Sequence, residues 1–95
     1  MAHQYIGVGL PGTTQNVAYT GTAGTIANGI GLGVYKVRLM VTTDAFVKID
    51  SSPTATTADM YMPAFSVEYF SCRPGQKVSA IQVSSGGTLY VTEIS

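Results

Sequence analysis

The sequence predicts an all-β protein: one antiparallel domain over residues 15–95 behind a Gly-rich N-terminal arm over residues 1–14. Three observations carry this. The segment VYKVRLMVT at 34–42 alternates with the period of two that a pleated strand imposes. Residues 65–95 read as three short strands joined by two tight turns, Arg73-Pro74-Gly75-Gln76 and Ser85-Gly86-Gly87. Finally, 95 residues suffice for one domain with one modest core. By size scaling such a chain buries about 64% of its unfolded surface. Sandwich and partly open barrel fit the same turns.

The arm, MAHQYIGVGLPGTT, holds three glycines and one proline beside Tyr5, Ile6, Val8 and Leu10. Glycine at this density disfavours regular structure. The apolar residues are those of a segment that lies on a partner, so these four are candidate subunit contacts. Residues 15–22 form a first strand, with Val17 and Tyr19 on one face. The stretch AGTIANGIGLG at 23–33 is loop-like, and Asn28-Gly29 is a turn signal. Its GIGLG lacks the Gly-Lys-Ser/Thr of a phosphate loop.

In the strand over 34–42, Tyr35, Val37, Leu39 and Val41 are expected to face the core, and Val34, Lys36, Arg38 and Met40 the other side. Thr43-Asp44 is short enough for a hairpin turn into a strand over 45–49, with Ala45, Val47 and Ile49 inward and Phe46 and Lys48 outward. The outer face of that hairpin then carries Met40 and Phe46, two further candidate contacts. Residues 50–64, rich in Ser, Thr and Ala and punctuated by Pro53 and Pro63, read as a long irregular loop. Its apolar spot, Met60, Tyr61 and Met62, is a third candidate contact site.

In the closing segment, Pro74 presets φ and Gly75 accepts positive φ, as a type II turn requires. Gly86-Gly87 suits a type I′ hairpin, which needs positive φ twice. Strict alternation here puts apolar residues on both faces: Val67 and Tyr69 against Phe70, Val78 and Ala80 against Ile81 and Val83, Leu89 and Val91 against Tyr90 and Ile94. Either a bulge shifts the register, or a neighbour covers the outer face.

Charged residues make up 11% of the chain, against about 25% in ordinary soluble domains. Five bases balance five acids, and none form a run, which argues against nucleic acid or an anionic membrane as partner. A neutral chain with 45% hydrophobic residues is suited to permanent assembly, because net charge is what keeps free surfaces apart. Cys72 is the single cysteine, so no internal disulfide forms, which fits synthesis in a reducing cytoplasm. No apolar run approaches membrane-spanning length. The N-terminus lacks a basic region followed by an apolar core, and therefore any visible secretory signal.

The residues point to no enzyme and no cofactor. The only histidine, His3, sits in the arm, away from any scaffold for a triad. One Cys and one His do not compose a zinc site. Asp44, Asp50, Ser51 and Asp59 lack the close, regular spacing of a calcium loop and read as side-chain-to-backbone turns. Glu68 and Glu93 could lie on neighbouring strands, but with few polar companions they read as surface acids rather than a glycosidase pair. Lys36 and Arg38 read as a solvated strand face or an intersubunit ion pair.

The runs VYKVRLMVTTDAFVKI and SPTATTADMYMPAFSVEYFSCRPGQKVSAIQVSSGGTLYVTEIS resemble small virion structural proteins of tailed bacteriophages. The shared features are a VRL-hydrophobic-TTD segment, an SPTAT loop, an EYF strand, a PGQKV turn and a closing GTLYVTE strand, over roughly residues 34–95. The resemblance implies a β-sandwich or jelly-roll-like domain and a role such as capsid cement (decoration) or another small head or tail component. It transfers no catalytic motif. As cement, the chain would sit on the capsid exterior, bind the major capsid protein across subunit seams and associate with itself as a dimer or trimer. A tail- or fibre-associated host-binding protein, using the 50–64 loop, and a carbohydrate-binding sandwich, using its tyrosines, are the alternatives.

Overall fold

The computed structural model describes residues 9–95. Eight strands succeed one another: β1 Pro11–Tyr19, β2 Gly24–Thr25, β3 Lys36–Val41, β4 Ala45–Asp50, β5 Met60–Met62, β6 Val67–Ser71, β7 Lys77–Gln82 and β8 Gly87–Ile94. Among the described residues there is no helix. The strands form two antiparallel four-stranded sheets, ordered β1-β8-β3-β6 and β2-β7-β4-β5.

One core lies between the layers. Val37, Leu39 and Val41 of β3 and Leu89 and Val91 of β8 meet Ala45, Val47, Met62, Val78 and Ala80 of the second sheet in a sandwich-like arrangement. The alternation expected in β3 and β4 holds for these residues. Tyr35 is an exception: β3 begins one residue later, and Tyr35 is exposed while Val34 is buried. The turn formed by Gly31, Leu32, Gly33 and Val34 breaks the alternation there. It is closed by a Val34 N–H to Gly31 carbonyl bond of 3.3 Å, with Gly33 at φ 78°. Ile26 and Ile30, in the stretch expected to be only a loop, are buried at 1% and 3% exposure and tie it to the core.

Sequence neighbours seldom pair. Only β4 and β5 are both consecutive and hydrogen-bonded; every other connection crosses from one sheet to the other. The expected hairpin over residues 34–49 is therefore an arch, with β3 bonded to β6 and β8, and β4 to β5 and β7. The closing segment is likewise no meander, because β6 and β8 flank β3 while β7 lies in the opposite sheet.

The turn chemistry at Gly75 is as expected, with φ 88° and Gln76 N–H donating to the Arg73 carbonyl at 3.1 Å. Gly86 and Gly87 do not adopt positive φ, so the expected type I′ turn is absent. Crowding explains the glycine at 87. A Cβ there would lie 2.5 Å from Thr43 Oγ1 and 2.7 Å from Tyr19 Oη.

The arm boundary also shifts. β1 pairs with β8 from Pro11 onward, with an irregularity between Pro11 and Thr14, and Leu10 exchanges backbone hydrogen bonds with Ser95 at 2.8 and 3.0 Å. Domain residues therefore begin inside the stretch assigned to the arm.

Candidate interaction surface

The ladders joining β6, β3 and β8 run without a register shift, so no bulge carries their outward apolar residues into the core. Residues opposite one another in an antiparallel ladder share a face. With Val37, Leu39 and Val41 inward, the outer face of the first sheet follows from the register. One row runs Asn16, Tyr90, Met40, Val67; the next runs Thr14, Thr92, Arg38, Tyr69. Val67 and Tyr69 are 40% and 44% exposed, Met40, Arg38 and Tyr90 are half-buried, and Thr92 is buried. Thr14 and Thr92 join hydroxyls at 3.0 Å across the same face.

The second sheet's outer face is treated differently. Residues 51–59 fold back over it: Ala55 N–H donates to Ser79 Oγ at 3.0 Å, and Thr25 Oγ1 donates to the Pro53 carbonyl at 3.2 Å. Ser79 is fully buried, and Pro53 and Ala55 are buried with it. This loop is organised by the side-chain-to-backbone turns expected of it, with Ser51 N–H on Asp50 and Thr56 N–H on Asp59, each at 2.7 Å. The described residues thus cover part of the second sheet's outer face, whereas Val67 and Tyr69 stand exposed on the first sheet's open face.

The candidate contacts separate accordingly. Tyr5, Ile6 and Val8, with His3, lie outside the described residues. Leu10 is exposed beside the C-terminus. Met40 belongs to the open face. Phe46 does not share that face, because β4 lies in the other sheet; its ring meets Tyr61 edge-on at 6.0 Å. Met60 and Tyr61 are exposed, but Met62 is 0% exposed and part of the core, since the apolar spot is strand β5, whose alternation turns Met62 inward. A hydrogen bond with the Asp44 carboxylate, ahead of burial and charge, raises the Tyr61 phenol above its ordinary range. Tyr69, Val67 and Tyr90 are the surface residues that the reading of single segments missed. Their signal was the two-sided alternation itself, and the strand order was needed to interpret it.

Beside this face stands Phe65, 69% exposed and held at φ 61° in the turn closed by Ser66 N–H and the Pro63 carbonyl. Positive φ in a bulky residue is a backbone cost that solvent exposure of the ring does not repay. Phe65→Gly is therefore expected to raise stability by about 0.5–1 kcal/mol, net of glycine's greater unfolded-state entropy. Urea unfolding checks this.

Reactive groups do not converge. Glu68 and Glu93 are on opposite sides of β3 rather than on neighbouring strands, and Glu93 accepts a 2.9 Å hydrogen bond from Gly31 N–H. Among the described residues no three of His, Cys, Asp or Glu gather.

Cys72 is buried, and burial, with a smaller contribution from the Glu93 charge, pushes its thiol above the ordinary 9.0. The folded state holds this proton more tightly than the unfolded state. That stabilisation is complete below the unfolded thiol's pKa and is lost as pH rises above 9.0 through the folded value. Chemical unfolding from pH 8 to 11 should show the wild type losing stability more steeply than Cys72→Ala from about pH 9. Equal slopes would reject the assignment.

No family model, curated protein or solved structure matches this chain.

Proposed function

We propose that this chain is a structural component of a tailed-bacteriophage virion, a cement protein that binds the capsid exterior across major capsid protein subunits and stabilises the shell. The observation that carries the reading is the outer face of the first sheet. Tyr90, Met40, Val67 and Tyr69 surround Arg38 there, with Val67 and Tyr69 exposed and Met40, Arg38 and Tyr90 half-buried, while the opposite outer face is partly roofed by residues 51–59. A low charge content and zero net charge fit a surface that spends its working life covered.

The strand order supports it. Sheets β1-β8-β3-β6 and β2-β7-β4-β5, with chain crossings between them, are the arrangement we read as an eight-stranded jelly roll, an architecture used by viral capsid and lectin domains. A sugar-binding reading is less well served, because the exposed tyrosines 35, 61 and 69 are dispersed over the turn before β3, the second sheet and the edge of the first.

The mechanism is physical. Copies seated across seams bury apolar area, at about 25 cal/mol per Å² gross, and much of that is offset by ordering. Repetition over a symmetric shell makes a small net term per copy sufficient. Quantitative mass spectrometry of purified virions tests the reading, with a copy number commensurate with the capsid lattice as the expected result. A few copies per particle would favour the tail, and absence from virions would overturn the viral assignment.

A further inference from the structure

Four strand edges end the two sheets, and three of them are guarded. β2 has two residues and β5 three. β1 opens with Pro11 and an irregular register, and the Gln15 side chain holds both the N–H and the carbonyl of Asn28 against it at 3.1 and 2.9 Å. Short edge strands, proline, irregularity and cover are the means by which sheets avoid further pairing. Among the described residues β6 has none of these: it is five residues, VEYFS, with regular register, no proline and Glu68 as its only charge.

The direction of its backbone is fixed by the ladder. Cys72 N–H bonds the Tyr35 carbonyl at 2.9 Å, so in the antiparallel alternation Phe70 and Glu68 turn their backbone groups toward β3. Val67, Tyr69 and Ser71 turn theirs to the open side. Their side chains are also exposed and lie on the outer face described above.

We infer that β6 is the self-association strand of this protein, pairing antiparallel with β6 of a second copy about a two-fold axis through Tyr69. This register places Tyr69 opposite Tyr69 and Val67 opposite Ser71, so every outward-directed backbone group meets another. Sliding the copies so that Val67 faces Tyr69 would set Glu68 against Glu68, a like-charge pair that ladders disfavour. Sliding them the other way leaves Val67 unpaired. Only the centred register satisfies both backbone and charge, and it is isologous, so it closes at a dimer. The axis runs normal to the sheet, so the two outer faces point the same way and join into one continuous surface. The pairing involves this chain alone and holds whether or not the dimer seats on a shell.

The test uses the purified full chain. Sedimentation equilibrium is expected to give twice the 9.9 kDa chain mass for the wild type. Val67→Lys with Tyr69→Lys is expected to weaken dimerisation at least about 10-fold, with a thermal midpoint equal to that of the wild type at concentrations where both are monomeric. In a Cys72→Ala background, Tyr69→Cys should oxidise to a covalent dimer, because opposed bonded positions lie about 5.5 Å apart. Glu68→Cys should not, since in this register the two positions are diagonal, about 8 Å apart. A wild type that stays monomeric at about 1 mM, a trimer, or preferential cross-linking through Glu68→Cys would overturn the pairing. A monomer that still coats capsids would overturn it and leave the cement reading intact; a dimer absent from virions would do the reverse.

Discussion

Tyr19→Ala is expected to be the most damaging single truncation in this chain, with a loss of about 3–5 kcal/mol. Tyr19 is 1% exposed, the largest side chain in the core, and its hydroxyl ties down the arch between β3 and β4. It donates to the Thr43 carbonyl at 2.6 Å and accepts from Thr43 N–H at 3.2 Å. Thr43 Oγ1 in turn donates to the Ser85 carbonyl at 3.0 Å, and Thr88 N–H donates to Thr42 Oγ1 at 2.9 Å. One phenol thus joins the ends of β1, β3 and β8 in a space where Gly87 leaves no room for a methyl group. For a domain of this size the total stability is of order 5–14 kcal/mol, so the truncation removes from about a fifth to nearly all of it. The midpoint should fall by about 20 °C. Tyr19→Phe separates the two roles: it keeps the ring and leaves the Thr43 groups short of a partner, at about 1–3 kcal/mol. Calorimetry of both variants checks the order. If Tyr19→Phe equals wild type, the hydroxyl network contributes nothing.

The strands that bury a clean apolar face were legible in the sequence, because Val37, Leu39, Val41, Ala45 and Val47 alternate without interruption. Two strands were not. β5 is three residues long and two-thirds exposed, so MYM reads as a loop patch until its pairing with β4 is known. β2, Gly24–Thr25, has no hydrophobic signature at all and is specified by β7, which supplies its partners. The larger misreading concerns connectivity. Turn residues encode a reversal of the chain, and a reversal inside one sheet resembles one between two sheets. Gly75 takes the positive φ that its turn requires, yet the strands on either side of it lie in different layers. What decides the pairing is which faces need burial, a property of all eight strands together. The open face was legible only as a surplus, more apolar residues than one core could hold. Its location had to await the strand order.

That location supports the strongest functional expectation. Met40→Lys combined with Tyr90→Lys should reduce binding to capsids at least about 100-fold, equivalent to roughly 2.7 kcal/mol. Met40 and Tyr90 are opposed on β3 and β8, the two central strands of the first sheet. Both are half-buried and outward, so a lysine there extends to solvent in the free protein, with its stem along the sheet. Stability should change by less than about 1 kcal/mol. In a covered interface the same ammonium groups would lose their water beside Arg38, whose like charge offers no compensation. The contrast between a small folding effect and a large binding effect is the signature of a face that is bare in the free chain and buried in the assembly. Co-sedimentation of the variant with capsids lacking the protein, read beside its melting curve, measures both. Binding that survives the two lysines would show that the shell is met elsewhere. The Phe46–Tyr61 pair on the second sheet would then be the next surface to alter, because its two rings meet outside the core and Tyr61 is exposed.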